Sequence, residues 1–344
     1  KLLKNNTKDM FSQKKIEINE GNIFFKDNFN ETVAIIKVSK AFFFLDNKNL
    51  FNKFILKGQV FNVPFSLKYK KNFNSPKNEQ VSINSKTLKL NIFDEYNNEE
   101  ENDFNFGKNI ISFLNHSINT DYEIKDGVVS FNSSSSKIKN NKVNYNGKLS
   151  INPFDLNLNI NLDNYELSRL INFNFILNEL IKTKLLFNDH ISINALITVK
   201  SDVPKIFFQD VKINLNIVNG KINLDKTRLI NKKLGLFELI SSNLRLENDR
   251  LILNTDIKIE VNDSNKLFSL LQTNKKFRKP IKNVMINLDY DFLTNQIKFY
   301  SVKIDEKYLS DELLRIVEGF SDNNSNNWNK GRRLLNTLFE NYEG

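Results

Sequence analysis

The chain has 344 residues, of which 40% are hydrophobic and 26% charged, with 10 Gly, 5 Pro and no Cys. That length and balance describe a folded chain with room for one large β domain or two ordinary ones, and exclude wholesale disorder. The missing cysteines exclude disulfides, thiolate metal sites and a Cys nucleophile. The net charge of +10 and pI near 9.3 would fit nucleic acid, but the lysines are scattered among asparagines, as in an AT-rich coding sequence. A basic surface facing anionic headgroups is the alternative partner, and no nucleic acid is expected.

In chain order, the first feature is a Gly-centred unit, Ile16-Glu17-Ile18-Asn19-Glu20-Gly21-Asn22-Ile23-Phe24-Phe25, expected to form strand, tight turn and strand. Its second copy is Tyr122–Phe131 around Asp126-Gly127, and a looser third is Leu215–Leu224 around Asn219-Gly220. Asn146-Gly147 is a further hairpin signal. A second element recurs after the first two copies: Gly58, Val60, Pro64, Phe65 and Leu67 have the spacing of Gly147, Leu149, Pro153, Phe154 and Leu156. Repeats of this kind stack supersecondary units along one continuous apolar surface.

Period-two alternation dominates. It runs through Phe61, Val63, Phe65, Leu67 and Tyr69, and through Phe154, Leu156, Leu158, Ile160 and Leu162. It continues through Ile191 to Val199, then Val211, Ile213, Leu215 and Ile217. It returns in Leu251, Leu253, Ile257, Ile259 and Val261, and in Val284, Ile286, Leu288, Tyr290 and Phe292. Successive side chains leave a strand on opposite faces, so each run is a strand with one apolar and one wet face, the mark of antiparallel sheets.

Helices are few. Helical spacing predicts one over Ile110–Ile118, one over Leu170–Ile181, and one capped by Ser264 with Leu267, Phe268, Leu270 and Leu271. Another follows Ser310, with Leu313, Ile316, Val317 and Phe320, and an amphipathic tail carries Leu334, Leu335, Leu338, Phe339 and Tyr342. Asp94–Asp103 and Ser321–Asn327 read as exposed loops, and Ser133–Ser136 as a loop or edge strand. The divisions expected are 1–164, 165–309 and 310–344, and the fold class is mainly β: a long, curved antiparallel sheet forming a groove or sandwich, with a few short helices.

Catalytic chemistry is missing. The two histidines, His116 and His190, have no ligand partner at metal spacing, and there is no nucleophile elbow or phosphate-binding glycine loop. Carboxylates sit at turns or on wet strand faces. Arg332 and Arg333 beside Trp328 could face phosphates or, more simply, water. The expectation is a non-enzyme with no cofactor and no metal.

The order of a Gly hairpin followed by a Gly-to-Pro-Phe strand resembles the repeating unit of the AsmA-like family. The region from Val211 through Asn219-Gly220, Leu234-Gly235-Leu236-Phe237 and Leu251-Ile252-Leu253 to Asp289-Tyr290-Asp291-Phe292 resembles that family's C-terminal part. The resemblance covers roughly Ile16 to Leu309. It implies a periplasmic protein of a Gram-negative envelope, anchored in the inner membrane by an N-terminal helix that this sequence lacks. Its implied role is non-enzymatic lipid handling in outer-membrane biogenesis, with phospholipid or another acyl lipid as partner. The expected lining of the lipid groove is Phe61, Val63, Phe65, Leu67, Leu156, Leu158, Ile160, Ile213, Leu215, Ile217, Leu253, Ile257, Ile259, Ile286 and Leu288. Ordinary core packing is the alternative for each. An envelope scaffold with a closed core and a protein partner at an edge strand or the tail helix, and a polysaccharide-active β protein, are the competing functions.

Overall fold

The computed structural model describes residues 14–26, 30–46, 51–72, 78–98, 105–113, 116–138, 141–151, 153–165, 184–203, 207–294, 296–313, 315 and 328–341. The fold is mainly β, and every described pairing is antiparallel. The chain divides into two compact units: 1–158 with 183–185, and 159–182 with 186–344. The tail therefore belongs to the second unit.

The first unit is a meander: β1 (Lys14–Lys26), β2 (Thr32–Asp46), β3 (Phe51–Val60), β4 (Val63–Asn72), β5 (Asn78–Ser85), β6 (Leu90–Asn98), β7 (Asn105–Phe113), β8 (His116–Lys125), β9 (Val128–Ile138) and β10 (Asn141–Ile151). Each strand pairs with the next. Two-residue turns make this topology: Phe61-Asn62 (φ 48° and 61°) joins β3 to β4, and Asp126-Gly127 (φ 51° and 76°) joins β8 to β9. Positive φ at both central residues gives the turn twist that matches paired strands.

Bulges then redirect faces. The pairing of β2 with β3 slips between Val38 and Lys40, leaving Ser39 as the extra residue, its Oγ donating to the Lys57 carbonyl at 2.9 Å. Val38 and Ala41, three apart, consequently point the same way and are both buried, at 7% and 4% exposure. Further slips at Phe25/Lys26, Ser117/Asp121 and Val143/Tyr145 bend the strands and increase local twist.

β11 (Phe154–Asp163) runs from the first unit into the second, its even residues half-buried and its odd ones exposed up to Leu162. The second unit continues with β12 (Ile191–Lys200) and β13 (Asp210–Val218), then two short strands, β14 (Lys221–Asn223) and β15 (Arg228–Asn231). These two occupy one position between β13 and β16 (Gly235–Glu247). β17 (Arg250–Val261), β18 (Asn283–Asp291), β19 (Gln296–Ile304) and β20 (Lys307–Tyr308) complete the ladder.

Two helices lie on the apolar face of this ladder. α1 (Ser264–Leu271) is capped by Asp263, whose carboxylate accepts from the Asn265 and Lys266 amides at 3.0 and 3.1 Å. Ser264, the cap expected from sequence, instead exchanges hydrogen bonds with the Ile281 backbone at 2.8 and 3.0 Å, tying the helix to the approach of β18. α2 (Trp328–Glu340) is clamped to the end of α1 by Asn336, which donates to the Leu271 carbonyl at 3.0 Å and accepts from Thr273 Oγ1 at 2.6 Å. Phe268, Leu271, Ile281, Val302, Ile304, Leu309, Leu313, Leu338 and Phe339 form the buried core beneath.

Several sequence expectations are corrected. Ile110–Ile118 is not a helix: Ile110 and Ile111 belong to β7 and Ile118 to β8, where Ile111 pairs with Ile118 across the hairpin. Ile16–Phe25 is not a hairpin but the continuous β1, with Glu20 (φ 60°) as an interruption inside it. Asn146-Gly147 lies within β10, where a Cβ on Gly147 would stand 2.3 Å from the Asn157 carbonyl and 2.5 Å from the Phe131 ring. Ser133 and Ser136 are buried within β9, which is paired on both sides. Asp94 is a strand residue of β6, not the start of a loop. The expected helix Leu170–Ile181, most of that after Ser310, the linker Ser321–Asn327 and Tyr342 lie outside the described residues, as do the side chains of Trp328, Arg332 and Leu334.

Candidate functional site

The register stacks one apolar row across the first unit. Ala41 pairs with Leu56, Leu56 with Leu67, Leu67 with Ile83, Ile83 with Ile92, Ile92 with Ile111, and Ile111 with Ile118. Only Val38, Ala41 and Leu56 reach full burial in this cluster; Phe43, Phe54, Phe65 and Leu67 pack around them. Leu67, Ile83, Ile92, Ile111 and Ile118 are each half-buried. Every described strand β1 to β10 belongs to one meander, and the described residues of the unit include no α-helix to cover it. An apolar sheet face normally buries itself against a second layer.

Towards one end of the same face the rows turn polar. Tyr122 lies over Gly107, where a Cβ would stand 2.3 Å from its hydroxyl, and reaches Asp94 Oδ2 at 2.9 Å. Asn109 donates to Asp94 Oδ1 at 3.4 Å, while its own Oδ1 is buried without a partner. Tyr69 donates to Glu79 at 3.0 Å, and Lys71 pairs with the same carboxylate. Burial raises the Tyr69 and Tyr122 hydroxyls well above the ordinary tyrosine value, with the adjacent carboxylates adding to it. The face is thus amphipathic along the strand direction: hydrocarbon in the middle, a Tyr/Asp/Glu/Lys margin at one end.

Two aspartates on the sheets titrate in opposite directions. Burial raises Asp94 above the ordinary carboxyl value, against the hydrogen bonds from Tyr122 and Asn109. Burial also pushes Asp289 upward, but donors from Tyr300 at 2.7 Å, Asn254 at 2.8 Å and Arg245 at 3.1 Å outweigh it, and its pKa is lowered. A raised folded-state pKa contributes stability that is present below the unfolded value, about 3.9, and lost as pH rises through the folded value. A lowered one contributes stability present above the unfolded value and lost as pH falls through the folded value. Asp94→Asn is therefore expected to raise the thermal midpoint at neutral pH, with the gain vanishing at acid pH. Asp289→Asn is expected to lower it at neutral pH, with the loss vanishing at acid pH. Melting curves of the two variants across pH check both signs.

In the second unit the apolar face is covered by α1 and α2. A cavity of about 350 Å3 sits between the ladder and the two helices. All sixteen lining residues are apolar: Phe207, Leu234, Phe237, Ile259, Val261, Leu267, Leu270, Leu271, Val284, Ile286, Phe299, Val302, Ile304, Leu335, Leu338 and Phe339.

The residues expected from sequence separate into groups. Phe65 and Leu67 meet on the open face of the first unit, and Val63 lies at the start of the same strand. Phe61 does not join them: it is in the β3–β4 turn and borders a surface recess with Ala34 and Ile35. Leu156, Leu158 and Ile160 alternate along β11. Ile213 and Leu215 pair with Ile197 and Ala195, and Ile217 is wholly buried. Leu253 and Leu288 are buried as well, at 8% and 7% exposure. Of the fifteen, Ile259 and Ile286 line the cavity, and Ile257 pairs with Ile286 beside it.

Sequence reasoning missed Phe207 and Leu234, which stand in irregular chain without a period, and Phe237, Phe299, Val302 and Ile304, whose strands β16 and β19 were not among the alternating runs. The lining residues of α1 and α2 were visible as amphipathic faces, but nothing in their spacing named what they cover. Among the described residues no group of three or more His, Asp or Glu is placed to hold a metal ion, and no helix is long and apolar enough to cross a membrane. No protein-family model, curated protein or solved structure matches the chain.

Proposed function

We propose that the chain is a lipid-handling protein of the bacterial envelope, in which the open apolar face of the first unit shields phospholipid acyl chains while headgroups stay at the polar margin. The observation that carries this reading is the row from Leu67 through Ile83, Ile92 and Ile111 to Ile118, apolar across five strands and half-buried throughout. Left in water, such a face costs about 25 cal/mol per Å2 relative to burial, and acyl chains remove that cost at about 0.8 kcal/mol per buried CH2. The Tyr122–Asp94 and Tyr69–Glu79–Lys71 contacts at its end form the polar margin at which a headgroup would meet water. Periplasmic placement, inner-membrane anchoring and a part in outer-membrane biogenesis follow from the AsmA-like resemblance and belong to the proposal. The mechanism is passive: the strands replace water around the chain, and no covalent step is involved.

The test is native mass spectrometry with lipid extraction on the full chain purified from envelope in mild detergent. Phospholipid at defined stoichiometry is expected, and it is expected to be lost in Ile83→Lys with Ile111→Lys. Phe93→Lys with Ile110→Lys places the same charges on the same sheet's opposite face, where Phe93 and Ile110 are 37% and 41% exposed, and should retain it. A lipid-free wild-type protein, or equal loss in both variants, sinks the reading.

A second reading, an envelope scaffold, is favoured by β1. Ile16, Ile18, Ile23, Phe24 and Phe25 are each 41% exposed or more, and a strand edge of this kind receives partner strands.

A further inference from the structure

We infer that the covered cavity of the second unit is a separate binding site for one hydrocarbon chain bearing an anionic head. The cavity is distinct from the open face on which the lipid reading rests, so either can fail without the other. Its size falls at the low end of small-molecule sites, which span about 300–1,000 Å3, and is more than twice the ~150 Å3 apolar cavity that accepts benzene.

A lining without a polar side chain selects hydrocarbon: a polar ligand would lose its water and gain no hydrogen bond. The volume of about 350 Å3 suits a single flexible chain and not a two-tailed lipid. Two lining residues reach solvent, Phe207 at 43% exposure and Leu270 at 38%, and they mark the mouth. The chain around Phe207 is held against the β15–β16 turn: Asn231 Nδ2 donates to the Phe207 carbonyl at 2.6 Å, and the Lys232 amide donates to Gln209 Oε1 at 3.0 Å. That turn reads Asn231-Lys232-Lys233-Leu234, so the segment supplying Leu234 to the lining also carries two exposed ammonium groups. Neither lysine is in an ion pair among the described residues. An apolar lining, with those two lysines on the exposed turn that supplies Leu234 to it, matches a fatty-acid anion or a single-tailed anionic phospholipid.

The experiment is a displacement titration on the full chain with cis-parinaric acid as reporter, competed by oleate, methyl oleate and 1-oleoyl lysophosphatidylglycerol. Saturable binding at one site is expected, with oleate about tenfold tighter than its uncharged ester. Ile286→Trp, which fills the cavity, is expected to weaken oleate by about tenfold or more while the protein still melts cooperatively. Val302→Phe serves where that variant fails to fold. Lys232→Glu with Lys233→Glu, on the exposed turn, is expected to abolish the preference for oleate over methyl oleate. Tighter competition by the lysophospholipid identifies a membrane source, and tighter competition by oleate a free fatty acid; either supports the site. Absence of saturable binding, or binding undiminished in the folded cavity-filled variant, overturns the inference. So does a double-glutamate variant that still prefers oleate, since the lysines would then not hold the head. Loss of phospholipid from the open-face variants does not bear on it.

Discussion

Phe268→Ala is expected to destabilise the second unit by about 3–5 kcal/mol, the range for deleting a buried phenyl side chain. The residue is 1% exposed at the centre of the helical cap, and its ring meets Phe339 edge to face at a centroid distance of 5.3 Å. Removing it forfeits the transfer energy, leaves a hole beside an existing cavity, and unpins α2, whose Leu338 and Phe339 are buried against the same core. Such aromatic pairs add about 0.5–1.5 kcal/mol beyond burial. For a unit of this size each kcal/mol moves the melting midpoint by about 2–4 °C, so a fall of roughly 6–20 °C is expected. Hydrogen exchange places the effect: protection should drop in β17–β19, α1 and α2 and stay unchanged in β1–β10. A drop below about 1 kcal/mol would mean that α1 and α2 do not form a cooperative layer with the ladder.

The contrast between the units is the physical basis of both functional proposals. In the second, helices bury the apolar face of β17 to β19, and Ile304, Ile281 and Leu271 are each 2% exposed. In the first, Ile83, Ile92 and Ile111 form a row across their strands and are half-buried, short of the full burial reached in the second unit. The same alternating pattern thus has two destinies, and the difference lies in whether the chain also supplies a cover.

That explains how far the sequence could be read. Alternation identified β4, β11, β12, β13, β17 and β18, because a pleat puts every second side chain on one face whatever lies opposite, but it left β7 and the start of β8 read as a helix. Asp126-Gly127 and Asn219-Gly220 marked true two-residue turns, since an Asx-Gly pair tolerates positive φ at both positions. Phe61-Asn62 and Asn248-Asp249 make turns of the same kind with φ between 48° and 61°; Asn and Asp tolerate that conformation, and only Phe61 carries no such local signal. Asn146-Gly147 misled for the opposite reason: that glycine answers to the crowding by Asn157 and Phe131 and not to φ. Bulges such as Ser39, which reverse the facing of everything beyond them, leave no period in the sequence. The cavity was illegible because it is a relation among β16 to β19, α1, α2 and the loop at Phe207, none of which is local.

Gly235→Ala is expected to be the most damaging of the glycine substitutions, at roughly 2–5 kcal/mol from backbone strain combined with overpacking. Gly235 has φ 148°, a region L-residues avoid, and a Cβ there would stand 1.8 Å from the Glu260 carbonyl oxygen. That neighbour is backbone and cannot rotate away, since Gly235 pairs with Val261 at the start of β16, and Val261 borders the cavity together with Leu234. The methyl group must push β16 and β17 apart where the helical cap rests on them. Gly21→Ala is the control: no atom lies within 4 Å of its Cβ position and its φ is not positive, so it should be neutral or stabilise by about 0.4–1 kcal/mol through the unfolded chain. Denaturant unfolding of both variants, with midpoint and slope compared to the parent, measures the pair. Equal effects at the two positions would show that the β16–β17 approach is loose enough to admit a methyl group. The cavity beside it would then owe its walls to the helices alone.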